Sequence, residues 1–318
     1  MNAGIVLSNQ FNPFRNLAVE QYLMEKGIRL DCLLFLWRND RTVVIGRNQN
    51  PWTECAVETL LNDGGFLARR RSGGGAVYHD LGNLNFSFVV RDDLYDVNRQ
   101  LCVIARAVQV FGLDALVSGR NDLTIGERKF SGNAFLHAKG FGLHHGTILL
   151  HTDSSSMRKY LTPPPEKLAK RGAVSVRSRV VNLTELNPDL TVDRLTHALR
   201  NSFADDYGEP SDLSFPDLAS APETEKFCAR YASKDWIYGD WMNVRNAPIQ
   251  RHAAFSWGIC DLAAETDAEG RITKLAVATD ALDPDSIDRL ENALIGWYPD
   301  APIPDLPFAS DVAGLLGG

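Results

Sequence analysis

The stretch Arg69-Arg70-Arg71-Ser72-Gly73-Gly74-Gly75-Ala76-Val77-Tyr78-His79-Asp80 constrains this chain more than any other. Three consecutive glycines disfavour both helix and strand, whereas the flanking runs FLARR (66–70) and AVYH (76–79) have the apolar and β-branched character of strands. The segment reads as strand, loop, strand. Glycines at positive φ can present successive backbone N–H groups to one anion, and Arg70, Arg71 and Ser72 add further donors, so the loop can hold a carboxylate or a phosphate. It is not a Walker A loop, because G-x-x-x-x-G-K-[ST] occurs nowhere in the chain, and it is not a G-x-G-x-x-G fingerprint. The plain alternative is a turn with solvated arginines.

Around this loop the sequence alternates extended and helical patterns. Asn12-Pro13 followed by FRNLAVEQYLMEK and Gly27 supplies an N-cap, a proline at the first helical position and a terminating glycine. LLFLW (33–37) and TVVIG (42–46), separated by Arg38-Asn39-Asp40-Arg41, suggest a hairpin. LNFSFVV (84–90), DLTI (122–125) and GTILLH (146–151) are further strand candidates, and 97–111 and 191–207 have helical periodicity. The expected fold class is α/β (α+β), a mixed-sheet domain over 1–246 with a smaller α+β domain over 247–318. Tyr238 to Pro248 is the expected linker. After it, AAFSWGICDLAAETDAEGRITKLAVATD reads as two strands about a polar turn, followed by a helix from Pro284 to about Gly296.

Charge and cysteine content exclude several function classes. With 33 Lys+Arg against 40 Asp+Glu the net charge is -7, which argues against a nucleic-acid scaffold. Charge is nonetheless segregated: Ser154 to Val181 carries seven basic residues and one acid, while the chain from Pro248 onward carries four basic residues and twelve acids. Five scattered cysteines without C-x-x-C spacing fit neither a disulfide framework nor a cysteine zinc site, and point to a reducing, cytoplasmic setting. The N-terminus lacks a basic region followed by an apolar one, and no run of about 18 apolar residues occurs, so neither a signal peptide nor a membrane span is expected.

Four segments in order, RRRSGGGAVYHDLGNLNFSF, GRNDLTIGERKFSGNAF (119–135), HHGTILLHTD (144–153) and SVRSRVVNLTEL (175–186), closely resemble the lipoate-protein ligase family. The resemblance begins at the N-terminal helix, includes LFLWRNDRTVVIGRNQNPW (34–52), reaches about Tyr207 and continues more weakly beyond. It implies a catalytic domain shared with biotin ligases and a small C-terminal domain. The implied chemistry is Mg2+- and ATP-dependent activation of lipoate to lipoyl-AMP, with transfer to a lysine of a lipoyl domain. Implied acceptors are the lipoyl domains of 2-oxoacid dehydrogenase E2 subunits and the glycine cleavage H protein.

Joining a carboxylate to a triphosphate requires a fixed cation between two anions. By the resemblance that cation is Lys129, in Arg128-Lys129-Phe130-Ser131-Gly132. Nucleotide and substrate contacts then fall to Arg70, Ser72, Gly73, Gly74, Gly75, Ala76, Val77, Tyr78, His79, Asn121 and Asp122, with Arg177 and Arg179 from the basic segment. Adenine would be read by the strand edge at 75–78. Asp122 is the candidate Mg2+ ligand, since hard cations prefer oxygen. His79 is expected to brace the loop, and Trp37 to be core or a wall for an acyl chain. His144 and His145 point to opposite faces of a strand and so cannot share one metal ion.

The related octanoyltransferases use an acyl-cysteine, but this chain has no cysteine between Cys102 and Cys228. Two alternatives remain: a lipoyltransferase fed with preformed lipoyl-AMP, and a non-catalytic lipoate- or adenylate-binding protein. Glu166 to Arg179 reads as a basic cover over the adenylate.

Overall fold

The computed structural model describes residues 1–26, 30–119, 122–162, 180–281 and 283–317. Among them, an eight-stranded sheet forms the scaffold. Its strands are β1 (Ala3–Leu7), β2 (Cys32–Trp37), β6 (Asn83–Arg91), β7 (Ala115–Ser118), β8 (Asp122–Ile125), β9 (Arg128–Ala138), β10 (Phe141–Leu149) and β11 (Ser211–Leu213). They lie in the order β11-β1-β2-β6-β10-β9-β8-β7. β1 runs parallel to β11 and β2, and the remaining pairs are antiparallel. A second sheet has β3 (Thr42–Ile45) at its centre, parallel to β4 (Phe66–Arg69) and antiparallel to β5 (Val77–His79). The third, formed by β12 (Ile249–Phe255), β13 (Gly258–Thr266) and β14 (Ile272–Thr279), is an antiparallel meander.

The large sheet is covered on both faces, and β2 shows how the sequence encodes this. Cys32, Leu34 and Leu36 enter one core with Phe86, Phe88 and the helices Val97–Gln109 and Val192–Tyr207. Leu33, Phe35 and Trp37 enter a second core with the helix Pro13–Glu25, Val44, Ala68, Phe215 and Tyr231. A run apolar at every position is what a strand buried on both faces requires. Burial of each such side chain contributes about 1.5 to 3 kcal/mol. The helix Pro13–Glu25 starts as expected, with the Asn12 side chain accepting from the N–H groups of Phe14 and Arg15.

Two local expectations are corrected. LLFLW and TVVIG do not form a hairpin: β2 pairs with β1 and β6, while β3 belongs to the second sheet. The intervening turn is tied down instead, with buried Asn39 accepting from Asn16 Nδ2 at 3.0 Å and Asp40 N–H donating to Phe11. The segment 238–248, expected as the linker, contains the short helix Trp241–Val244, whose Trp241 and Val244 are buried. The C-terminal region has three strands rather than two, and a further helix, Ala309–Gly317, closes a core of its own with Ile287, Leu290 and Leu294.

The C-terminal sheet abuts the glycine-loop region. Thr279 N–H donates to Asn48 O at 2.9 Å, Arg47 pairs with Asp288 at 2.7 Å, and Gly74 N–H donates to Ala281 O at 3.2 Å. Among the described residues no helix is long and apolar enough to cross a membrane.

Candidate active site

β4 and β5 flank β3 rather than pairing with each other, so the loop Arg70–Ala76 must cross the end of the central strand. The crossing explains Gly46: a Cβ there would lie 2.2 Å from the carbonyl oxygen of Gly74. Gly74 itself sits at φ 88°, in the left-handed region that favours glycine. A Cβ on Gly75 would meet nothing within 4 Å, so that side of the loop is open.

Arg70 determines the loop's shape. Its guanidinium is buried and donates to the carbonyls of Val44 (3.2 Å), Gly73 (2.7 Å) and Gly75 (2.9 Å), and Nε donates to Ser72 Oγ at 3.1 Å. Burial pulls its pKa down to about 10, an effect opposed by the charges of Glu20 and Glu54. The sequence suggested that successive glycine N–H groups and Arg70 act as donors to a bound anion. In this structure Arg70 holds the loop from within, because a buried guanidinium needs carbonyl acceptors, and Ala281 takes the Gly74 N–H. Ala76 and Val77 are partly exposed, and Tyr78 is buried against Tyr160. Among the described residues β5 is an edge strand, with no strand paired to its outer row of backbone groups.

Ser72 is fully buried and joins a second network. Its Oγ is 2.6 Å from His145 Nε2, His145 Nδ1 is 2.9 Å from Glu20 Oε1, Ser87 donates to the same Glu20 oxygen at 2.5 Å, and Trp37 Nε1 donates to Ser87 at 2.9 Å. His79 is also buried, and its pKa is pushed down to about 3, first by burial and then by Arg70 and His145. Its Nδ1 meets the Asn39 amide at 3.2 Å. The fixed orientation of Asn39 makes that amide nitrogen the donor, so the proton of neutral His79 resides on Nε2, a buried atom without a hydrogen-bond partner among the described residues.

Lys129 is the second residue of β9, and its Nζ lies 2.7 Å from Asp122 Oδ1. A Cβ on Gly132 would be 2.7 Å from the same ammonium, so this glycine makes room for it. Asp122 pairs with Gly132, and Ala134, two residues along, pairs with His145. Side chains two apart on a strand, and those paired across strands, share a face. Lys129, Asp122 and His145 therefore occupy the sheet face against which Ser72 and the glycine loop lie. His144 points the opposite way, between Gln100 and Asn133, with its pKa pushed down to about 3 by burial.

Asn121, Arg177, Arg179 and the Glu166 to Arg179 segment lie outside the described residues. The chain returns at Val180, which bridges to Lys129, with Val181 N–H donating to Lys129 O at 3.0 Å. Among the described residues no group of three or more His, Cys, Asp or Glu side chains could hold a metal ion. Asp122 offers a single carboxylate, which suits a Mg2+ ion whose other ligands are phosphate oxygens and water. A separate cleft of about 430 Å³ lies behind the loop, lined by Arg47, Arg69, Tyr238, Lys274 and Glu291. It contains neither Lys129 nor Arg70.

Of the residues expected at the site, Lys129, Asp122 and Ser72 share this sheet face, whereas the buried contact of Glu20 with His145 was not foreseen. A signal for Glu20 was present: it stands three residues after Leu17 and four before Met24, within the buried stripe of a helix, where a carboxylate needs a partner.

The chain matches the Lipoyl protein ligase A/B catalytic domain over residues 12–204 and the Bacterial lipoate protein ligase C-terminus over residues 244–301. It is 39% identical over 302 residues to lipoate-protein ligase A of Psychrobacter cryohalolentis, covering 92% of this chain and 88% of that protein. Among solved structures it is similar to P. falciparum LipL1 in complex with lipoate, with TM-score 0.77, 30% identity, and 93% and 90% of the two chains covered. The bi-partite lipoate protein ligase of Thermoplasma acidophilum, described with its E2 lipoyl domain, gives TM-score 0.64 at 32% identity over 75% of this chain and 97% of that one. A lipoate-protein ligase A bound with ATP gives 0.64 at 29% identity, covering 75% and 99%.

Proposed function

The chain belongs to the lipoate-protein ligase family and is an enzyme of the ligase type, and from that premise we propose how its residues divide the reaction. The observation that carries the reading is the shared sheet face: one cation, Lys129, stands beside a carboxylate, Asp122, opposite a glycine loop that Arg70 holds in shape.

Lipoate is activated by ATP to lipoyl-AMP. Lys129 leaves Asp122 to lie between the lipoate carboxylate and the α-phosphate, offsetting their repulsion and the charge that develops as pyrophosphate departs. Gly75, Ala76, Val77 and Tyr78 line the nucleotide with the open edge of β5, and Ser72, Gly73 and Gly74 shape the turn. Buried His79 braces the loop, its Nδ1 meeting the Asn39 amide. Asn121, Arg177 and Arg179 are proposed nucleotide contacts on the resemblance alone. Asp122 would hold Mg2+, which supplies charge neutralisation on the triphosphate when bound.

The acyl-adenylate is already activated, so transfer needs only a deprotonated, aligned acceptor lysine and no protein nucleophile. The thiols agree with this. Cys55 and Cys260 are buried and pushed up to about 12, and burial raises Cys32 as well, so none of the three is activated.

Proposed acceptors are lipoyl domains of 2-oxoacid dehydrogenase E2 subunits and the glycine cleavage H protein. The cytoplasm is the proposed setting, given five free cysteines. We place the domain boundary between residues 246 and 247, close to the start of β12.

The test is lipoate-dependent exchange of labelled pyrophosphate into ATP. Exchange is expected with lipoate and not without it. Lipoylation from preformed lipoyl-AMP with no exchange would replace the reading with a transfer-only enzyme.

A further inference from the structure

Lys129 sits beyond the regular part of its sheet. Pairing of β9 with β10 ends at Asn133 and Gly146, and pairing with β8 shifts register between Leu123 and Thr124, beside the Thr124–Lys129 pair. The carbonyl of Lys129 is met instead by the N–H of Val181 at 3.0 Å, with Val180 bridged to Lys129. Val181 is held in turn by its neighbour: the Asn182 side chain accepts from Thr152 N–H at 2.8 Å and donates to Thr152 O at 3.0 Å, as a paired strand would. Thr184 adds two donations to Leu150 O, from its N–H at 3.0 Å and from Oγ1 at 2.7 Å. The same stretch, Leu150 to Asp153, is fastened to the exit of β5. Gly82 O accepts from both Leu150 and His151 N–H at 3.0 Å. Asp80 accepts from Gly82 N–H through one oxygen and from Asp153 N–H through the other, each at 2.8 Å. A Cβ on Gly82 would lie 2.4 Å from His151 O, so glycine permits the approach.

We propose that Asp80 and Asn182 are positioning residues for Lys129: together they fix the spacing between the strand edge that lines the nucleotide and the cation that serves the α-phosphate. The path runs from β5 through Asp80 to 150–153, through Asn182 to Val181, and from Val181 to the Lys129 backbone. At each link the partner is a backbone N–H or carbonyl, whose role as donor or acceptor is fixed. Spacing matters because one ammonium must stand between two reacting groups, and a misplacement of about 1 Å can cost about a hundredfold in rate. The plain alternative is a loop anchor, in which Asn182 and Asp80 support the fold without bearing on the step that depends on Lys129.

The inference rests on the adenylation reading and is tested by the single-turnover rate of lipoyl-AMP formation in Asn182→Ala, Asp80→Asn, and Asn182→Ala combined with Lys129→Met. Asn182→Ser replaces Asn182→Ala if the latter does not fold by thermal melting. Asn182→Ala is expected to slow the step about tenfold, the scale of one or two lost hydrogen bonds, with the KM for ATP and for lipoate within about threefold of wild type. Asp80→Asn keeps one acceptor oxygen but turns an amide N–H toward a backbone donor, and is expected to slow the same step by about threefold or more. Because Asn182 acts through Lys129, adding Asn182→Ala to Lys129→Met is expected to change the residual rate by less than about twofold. A tenfold loss in that background as well, or an unchanged rate in Asn182→Ala alone, would overturn the inference and leave Asn182 a loop anchor. Absence of lipoyl-AMP formation in the wild type would instead overturn the adenylation reading and this inference with it.

Discussion

The two sides of the site are built on opposite physical terms. On the loop side Arg70, Ser72, His79 and His145 are buried, and Arg70 and Ser72 spend their donors on neighbouring protein groups. On the other side Lys129 and Asp122 keep 38% and 36% of their side-chain surface and share a single ion pair. A surface pair of this kind is worth about 0 to 1 kcal/mol, so Lys129 can leave it at little cost. Breaking a buried charged network costs several times more. In the proposed site a preassembled cradle would thus face a cation held only by a surface pair, and changes on the two sides should differ in kind.

The largest effect is expected at Arg70. Arg70→Met removes a buried guanidinium and leaves the carbonyls of Val44, Gly73 and Gly75 unmet, for a loss of about 3 to 5 kcal/mol in urea unfolding. Arg70→Lys should recover only part of this, since an ammonium cannot reproduce the fork. A change under about 1 kcal/mol would erase the distinction between the two sides.

The next effect is a pH slope. His79 and His144 have folded pKa values of about 3, below the ordinary 6.5, so their contribution is complete above pH 6.5 and is lost as pH falls toward 3. Each should lower stability by about 1.4 kcal/mol per pH unit in that window. Glu291, raised by burial to about 8, acts with the opposite sign: its contribution is complete below 4.5 and is lost as pH rises to 8. Between pH 4.5 and 6.5 the two histidines outweigh it, so stability should rise with pH, and Glu291→Gln should steepen the rise. Unfolding free energies that are flat between pH 4.5 and 6.5 would show that the histidines are not buried neutral.

Smaller still is the stability effect of Lys129→Met, expected to stay within about 1 kcal/mol of wild type in the same urea measurement. The smallest concerns the thiols that are not fully buried, Cys102 and Cys228. Replacing both with Ser should leave lipoylation within about twofold, and a trapped acyl-thioester on either would contradict an adenylate route.

How much of this was legible in the sequence follows from the range of each interaction. The glycine loop and the apolar run of β2 are local patterns and could be read directly, whereas Lys129 was singled out only by the family resemblance of the segment around it. The hairpin expected at 33–46 failed because both runs find their partners far along the chain, β2 with β6 and β3 with β4 and β5, which turn residues cannot reveal. The inward turn of Arg70 was hidden for the same reason: its acceptor at Val44 lies on a strand brought alongside only by the fold. Glu20 and His145 are 125 residues apart, and neither has an obvious role until the helix Pro13–Glu25 is laid across β10.

The division of labour is tested most directly by the single-turnover rate of lipoyl-AMP formation in Lys129→Met at saturating ATP and lipoate. The rate is expected to fall by about a hundredfold or more, the scale of losing one preorganised charge-stabilising donor, with the KM for ATP within about threefold of wild type. A near-normal rate, or a loss confined to the KM for ATP, would contradict the assignment of Lys129 to the chemical step.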